Sequence, residues 1–344
     1  MREFQRIIIS RTDSIGDVIL TLPVAGMLKK KFPEVEIIFL GRSYTNAVIN
    51  ACEHIDRFMN WDEISNMSEA DAAEAFRAEK ADMIIHVFPR KEIARLAKKA
   101  KIPIRLGTTN RLYHWGTCNK LVRLSRKRSE LHEAQLNLKL IEGISGKGTI
   151  TLEQVCELYG LNKTEALDNK FIQLIDKNRF NLILHPKSKG SAREWGVENF
   201  KKLIAILPDD QFKIFISGTA EEGTLLKDTG IFESGKTINL TGQMSLAQLM
   251  SFIEACDGLV AASTGPLHIA AALGKTAIGI YPPIRPMHPG RWAPVGKQAK
   301  FAVIEKECSD CRNNGICHCM QEISPEVIKN LIPYGHEQNN IPEI

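Results

Sequence analysis

The sequence predicts an α/β protein built from two doubly wound, Rossmann-like domains facing each other across a cleft. Three observations carry this. Short apolar runs alternate with helical patterns in both halves, as in parallel sheets covered on two faces. Loops rich in Gly, Pro, Ser and Thr follow those runs. The 344 residues, 44% hydrophobic and 25% charged, suffice for two cores, yet no apolar stretch approaches the roughly 20 residues that cross a bilayer.

In the first half, residues 7–10 read as a strand and 11–17 as a loop. A helix follows over 18–31 with Pro23 as an irregularity, and Pro33 stops it. Residues 35–40, 83–87 and 102–106 are the next strands, with a helix over 92–100. A helix over 130–142 follows from the spacing of Leu131, Ala134, Leu138 and Ile141. The domain boundary falls within 143–170, giving domains of 1–165 and 166–322.

In the second half, strands are expected at 182–184, 213–217, 237–240, 259–262 and 276–281, separated by helices over 197–207, 221–227, 246–255 and 266–273. A last helix over 325–331 is expected to return to the first domain, so that 323–344 forms that helix and a loose tail.

Ligands of open parallel sheets sit beyond the carboxyl ends of strands. Three second-half loops hold that position, around His185, Gly218 and Ser263. Neither half opens with a dinucleotide-type glycine pattern, and no Walker-type loop follows a strand, which disfavours a nicotinamide enzyme or a P-loop hydrolase. Ser263-Thr264-Gly265-Pro266 before an apolar helix fits a phosphate cradle: Gly265 permits close approach, and Pro266 suits a first turn. A capped structural helix is the plainer alternative.

The net charge of +5 is concentrated: residues 90–128 hold thirteen Lys or Arg and one acid, Glu92. Such asymmetry suits an anionic partner as well as a solvated face. No nucleic-acid motif accompanies it, so nucleic acid is not expected. The first ten residues, with Arg2, Glu3 and Arg6, do not read as a targeting peptide, and a cytoplasmic location is expected, peripheral to the inner membrane at most.

These residues also carry a resemblance. The run Arg11-Thr12-Asp13-Ser14-Ile15-Gly16-Asp17-Val18 with Thr21-Leu22-Pro23 comes first, then Arg193-Glu194-Trp195 and Leu240-Thr241-Gly242 with Ser245-Leu246. Ser263-Thr264-Gly265-Pro266-Leu267-His268 through Leu273-Gly274 completes the set. In this order the chain resembles the bacterial lipopolysaccharide heptosyltransferases, glycosyltransferase family 9. The resemblance implies a GT-B fold and inverting, metal-independent transfer of a heptose or related sugar from an ADP-sugar to the lipopolysaccharide inner core. The partners implied are a nucleotide-sugar donor, an anionic glycolipid acceptor and, transiently, the inner-leaflet surface, for a monomer or a homodimer. The alternatives are a transferase using another nucleotide sugar and glycolipid, and a non-catalytic binding protein.

Residue by residue, the resemblance makes Asp17 the general base and Arg193 the group that steadies the leaving diphosphate. The plainer role for Asp17 is a helix cap. On the donor side it implies Lys187, Ser188 and Lys189, an acid at Glu221 or Glu222 for the ribose, Thr241, Gly242, and Ser263, Thr264, Gly265, Pro266 and His268. Ser263 stands where the family usually has Asp, removing a charge beside the donor sugar. On the acceptor side it implies Asp13, Ser14, Lys120, Arg123, Lys127, Arg128 and His132, with Tyr113 and Trp115 as apolar contacts.

Cys308, Cys311, Cys317 and Cys319 cluster near the end, with His318 among them. The first pair has metal-knuckle spacing, but the second is unusually close for two ligands of one tetrahedral site. Reduced, packed cysteines are therefore preferred over a structural zinc, and no cofactor is expected.

Overall fold

The computed structural model describes residues 4–126, 129–146, 148–306 and 317–334. The chain divides between Glu165 and Ala166 into two compact units, each with its own sheet and core.

The first unit holds six parallel strands: β1 (Arg6–Ser10), β2 (Glu36–Gly41), β3 (Arg57–Asn60), β4 (Met83–His86), β5 (Ile104–Thr108) and β6 (Lys120–Val122), in the order β3-β2-β1-β4-β5-β6. Ile7, Ile8 and Ile9 of β1 are all buried, because a central parallel strand has no solvent face. The chain builds outward from β1 on one side and then restarts at β4 on the other. The loops after β1 and β4 therefore diverge and leave a crevice at this switch point.

The expected helix over 18–31 is two helices, Ile15–Ile19 and Leu22–Lys31. Pro23 starts the second, where its missing N–H costs nothing, and Lys29, Lys30 and Lys31 close it at the negative end of its dipole. Likewise the helix expected over 130–142 begins later, at Glu133–Leu140 with His132 as its N-cap, and a short helix Glu142–Ser145 follows.

The second unit repeats the plan with β7 (Phe180–His185), β8 (Phe212–Ile216), β9 (Thr237–Asn239), β10 (Gly258–Ala262), β11 (Thr276–Ile280) and β12 (Ala299–Ala302), ordered β12-β11-β10-β7-β8-β9. Its switch point lies between β7 and β10. The core runs from the β7, β8 and β10 side chains through Trp195 and Phe200 to Met320, Ile323 and Ile328. Strand β12 extends a series that the sequence reading closes at β11.

The last helix, Pro325–Leu331, does not follow the expectation that it returns to the first domain. It packs on helix Val197–Ile206 and on β12, within the second unit. Its Ile328 is fully buried there, and the indole N–H of Trp195 donates to the carbonyl of Ile323 at 2.9 Å.

Candidate active site

In the first unit the candidate residues lie in the loop leaving β1, at the switch point. Asp17 is inside helix Ile15–Ile19, and Ser14 is its N-cap residue, with no side-chain cap bond. The cap role for Asp17 therefore fails. Its carboxylate instead accepts from the Arg11 guanidinium and, at 2.5 Å, from the Ser14 hydroxyl. Asp13 accepts from Arg11 Nε at 2.6 Å, and Tyr44 donates to its carbonyl.

Arg11 is buried, and its third carboxylate is the equally buried Glu133, at 3.5 Å. Burial opposes the Arg11 charge, but Asp17, Asp13 and Glu133 together outweigh it and hold the charge more firmly than usual. Glu133 is shared with Arg126 at 2.8 Å, and Arg126 also donates to Asn137. For Asp13 burial dominates, Asp17 adds repulsion, and its pKa rises to about 6 although Arg11 pulls the other way.

From the neighbouring β4 loop, Arg90 donates to Thr12 Oγ1 at 2.6 Å and stacks on Phe88. Arg11, Glu133 and Arg90 are site residues that sequence reasoning missed. A cation two places before Asp13 was the available signal.

In the second unit, loops after β7, β8 and β10 converge from three adjacent strands. In the first, Glu194 accepts from Ser188 N at 3.0 Å, from Ser188 Oγ at 3.1 Å and from Lys187 Nζ at 2.5 Å. That carboxylate ties the loop into a ring; it also occupies Lys187, one of the expected phosphate cations. Lys189 and Gly190 turn the exposed tip at positive φ. Arg193 is half-buried beside fully buried Trp195, which is locked edge-on against Phe200.

His185 is buried and shares a 2.9 Å bond with Ser217; burial depresses its pKa, with Glu222 and Glu194 resisting. After β8, Thr219 and Glu222 form a reciprocal capping box on helix Ala220–Lys227. Glu222 is thereby committed, whereas Glu221 is exposed in the same first turn. Thr241 bonds Asn239 at 2.7 Å. Gly242 (φ 69°) donates to Gly218 O, and a side chain there would meet the Ala220 backbone at 2.9 Å.

Helix Gly265–Ala272 starts directly after β10 with Pro266 in its first turn. Its N-cap, Thr264, makes no side-chain cap bond, and the buried Thr264 hydroxyl has no hydrogen-bond partner. An uncapped helix start with a buried, unsatisfied hydroxyl is configured for an external anion. Ser263 lies within hydrogen-bond reach of the buried Tyr281 phenol, whose pKa is raised chiefly by burial. His268 is buried one turn into the helix.

The acceptor candidates separate. Lys120 is exposed on edge strand β6 and Arg123 on the segment just after it. Lys127 and Arg128 lie outside the described residues. His132 is withdrawn from the acceptor surface: it is buried, and its Nδ1 accepts from Ala134 N at 3.2 Å as a helix cap.

A model of glycosyltransferase family 9 (heptosyltransferase) matches residues 70–318. The chain belongs to this family. A family 9 glycosyl transferase from Veillonella parvula superposes with a TM-score of 0.75, covering 96% of each chain at 20% identity. Escherichia coli ADP-heptose lps heptosyltransferase II gives 0.70, covering 95% of this chain and 97% of that one at 17% identity. The lipopolysaccharide core heptosyltransferase OpsX of Haemophilus influenzae is 23% identical over 293 residues, 79% of this chain and 78% of its own. The fold is thus GT-B, and this family 9 chain is a glycosyltransferase.

Among the described residues, no group of three or more His, Cys, Asp or Glu is arranged to hold a metal ion. Cys308 and Cys311 lie outside them, while Cys317 and Cys319 are buried in the second core. No described helix is long and apolar enough to cross a membrane.

Proposed function

We propose that this family 9 enzyme transfers a heptose, or a closely related sugar, from an ADP-sugar to the lipopolysaccharide inner core with inversion. In one displacement the acceptor oxygen bonds to the anomeric carbon as the bond from that carbon to the diphosphate oxygen breaks. The acceptor proton passes to Asp17, and the electron pair leaves with the nucleoside diphosphate. Arg193 and the amide groups opening helix Gly265–Ala272 offset the charge on that leaving group. Glu221, exposed and outside the reciprocal capping box, is the better placed of the two acids for the ribose hydroxyls, its carboxylate being held by Thr219 alone among side-chain donors.

The observation that carries this reading is the uncapped helix start beside the unsatisfied Thr264 hydroxyl, at the switch point of the second sheet. The names of the relatives support ADP-heptose as donor and core lipopolysaccharide as acceptor. A second reading, a different nucleotide sugar, is favoured by Ser263, which brings no charge to the donor side and faces Tyr281 instead. Incubation with a panel of nucleotide sugars and core-lipid acceptors, followed by mass spectrometry of products, separates the two. Product from ADP-heptose alone supports the first, and product only from another donor replaces it.

A further inference from the structure

Helix Glu133–Leu140 carries two buried polar side chains that have no direct part in the transfer step. Glu133 lies in its first turn and Asn137 one turn further along, so the two share a face. The place of Glu133 suits a charge, since the helix N-terminus and two guanidiniums lie against it. Arg11 stands 3.5 Å from its Oε1, and Arg126 Nε donates to that same oxygen at 2.8 Å.

The bonds do not stop there. Arg126 Nη2 donates to Asn137 Oδ1 at 3.0 Å. The Asn137 amide donates to the Leu20 carbonyl at 3.0 Å and to the Thr21 hydroxyl at 3.3 Å. Thr21 donates in turn to the Asp17 carbonyl at 2.8 Å, while Arg11 donates to the Asp17 carboxylate. The circuit is therefore closed. It leaves Asp17 by its carboxylate, runs through Arg11, Glu133, Arg126, Asn137 and Thr21, and returns to the Asp17 backbone.

Arg11, Glu133, Asn137 and Thr21 are each at most 3% exposed. Packed apolar side chains in the same volume would generally stabilise the unit as well or better, so stability does not explain this much buried polarity. Orientation does. A residue tethered at both its carbonyl and its carboxylate is held to one aim by groups that are themselves locked. We infer that Glu133 and Arg126 are positioning residues for Asp17, acting through Arg11 and Thr21 and not by touching either substrate. The inference rests on the reading of Asp17 as the base.

Steady-state kinetics of the full chain, with the donor and acceptor that yield product, test it. Glu133→Gln keeps the shape and an acceptor for Arg126 but removes the charge that holds both guanidiniums. Its kcat should fall about tenfold to a hundredfold with KM for donor and acceptor near wild type, because the aim of the base has changed and substrate binding has not. Arg126→Gln breaks the same circuit at a partly exposed position and should do likewise, whether or not Glu133→Gln folds. The deciding measurement is the cycle with Asp17→Asn. Once the base is gone its aim no longer matters, so adding either substitution should lower kcat by no more than about twofold. Full, multiplicative losses in that background, or well-folded single variants with wild-type kcat, would overturn the inference while leaving Asp17 as base. Near-normal turnover of Asp17→Asn alone would instead remove the reading beneath it, and the inference too.

Discussion

Arg11 donates to Asp17 from a buried position, so the proposed base is gripped from beneath while its other oxygen is met only by the exposed Ser14 hydroxyl. The grip fixes which carboxylate oxygen can turn outward to an acceptor. Ser14 is small and easily displaced, whereas Arg11 is held by three acids.

Asp17→Asn keeps the shape and removes the proton acceptor. Turnover should fall about 10²–10⁴-fold while donor affinity stays near normal. Steady-state transfer assays alongside calorimetric titration with sugar nucleotide decide it. Near-normal turnover with intact binding would remove Asp17 as base.

Arg11→Met leaves Asp13, Asp17 and Glu133 crowded without their common cation. Stability should drop by about 3–5 kcal/mol, because an unpaired buried charge is costlier than a missing pair. Urea denaturation of wild type and variant gives the number. A loss within error of zero would mean that the loop rearranges freely.

Thr264→Val removes a hydroxyl that is buried and unsatisfied in the unliganded protein. The melting temperature without ligand should stay level or rise, while affinity for the nucleoside diphosphate falls about tenfold. Thermal shift measured with and without ADP shows whether the two effects separate.

The pH profile of stability should contain two opposed contributions. Burial holds His86 down at about 3 against an ordinary 6.5, so the unfolded chain binds more protons between these values. Its contribution is complete above about pH 6.5 and is lost on acidification, by about 1.4 kcal/mol per pH unit. Asp13 runs the other way. Its native pKa of about 6 exceeds 3.8, so stability declines as pH rises between these values. Asp13→Asn should therefore steepen the rise in stability from pH 4 to 6 and stabilise the protein at pH 7, as chemical denaturation across pH would record.

The central strands were legible because they are runs such as Ile7-Ile8-Ile9, buried on both faces and ended by loop residues. Three of the four edge strands, β3, β6 and β12, were not. They are short, and Arg57, Lys120 and Lys300 give them the composition of loops. Loop position was legible at Ser263–Pro266, since Gly and Pro there have only a few uses. The Arg11–Glu133 pairing was not, because it joins residues more than a hundred positions apart with no local pattern to mark it. His132 shows the converse: it sits in a basic stretch and reads as surface, yet its neighbours make it a cap.

Trp195 also anchors something beyond its own loop. Its bond to the Ile323 carbonyl, and the packing of helix Pro325–Leu331 on helix Val197–Ile206, stitch a late stretch of the chain to the segment that displays Arg193. Fusions, proteolytic nicks or shortened forms that disturb the residues beyond Cys317 should thus register first as weakened hold on the diphosphate that Arg193 is proposed to steady, before either open sheet loosens.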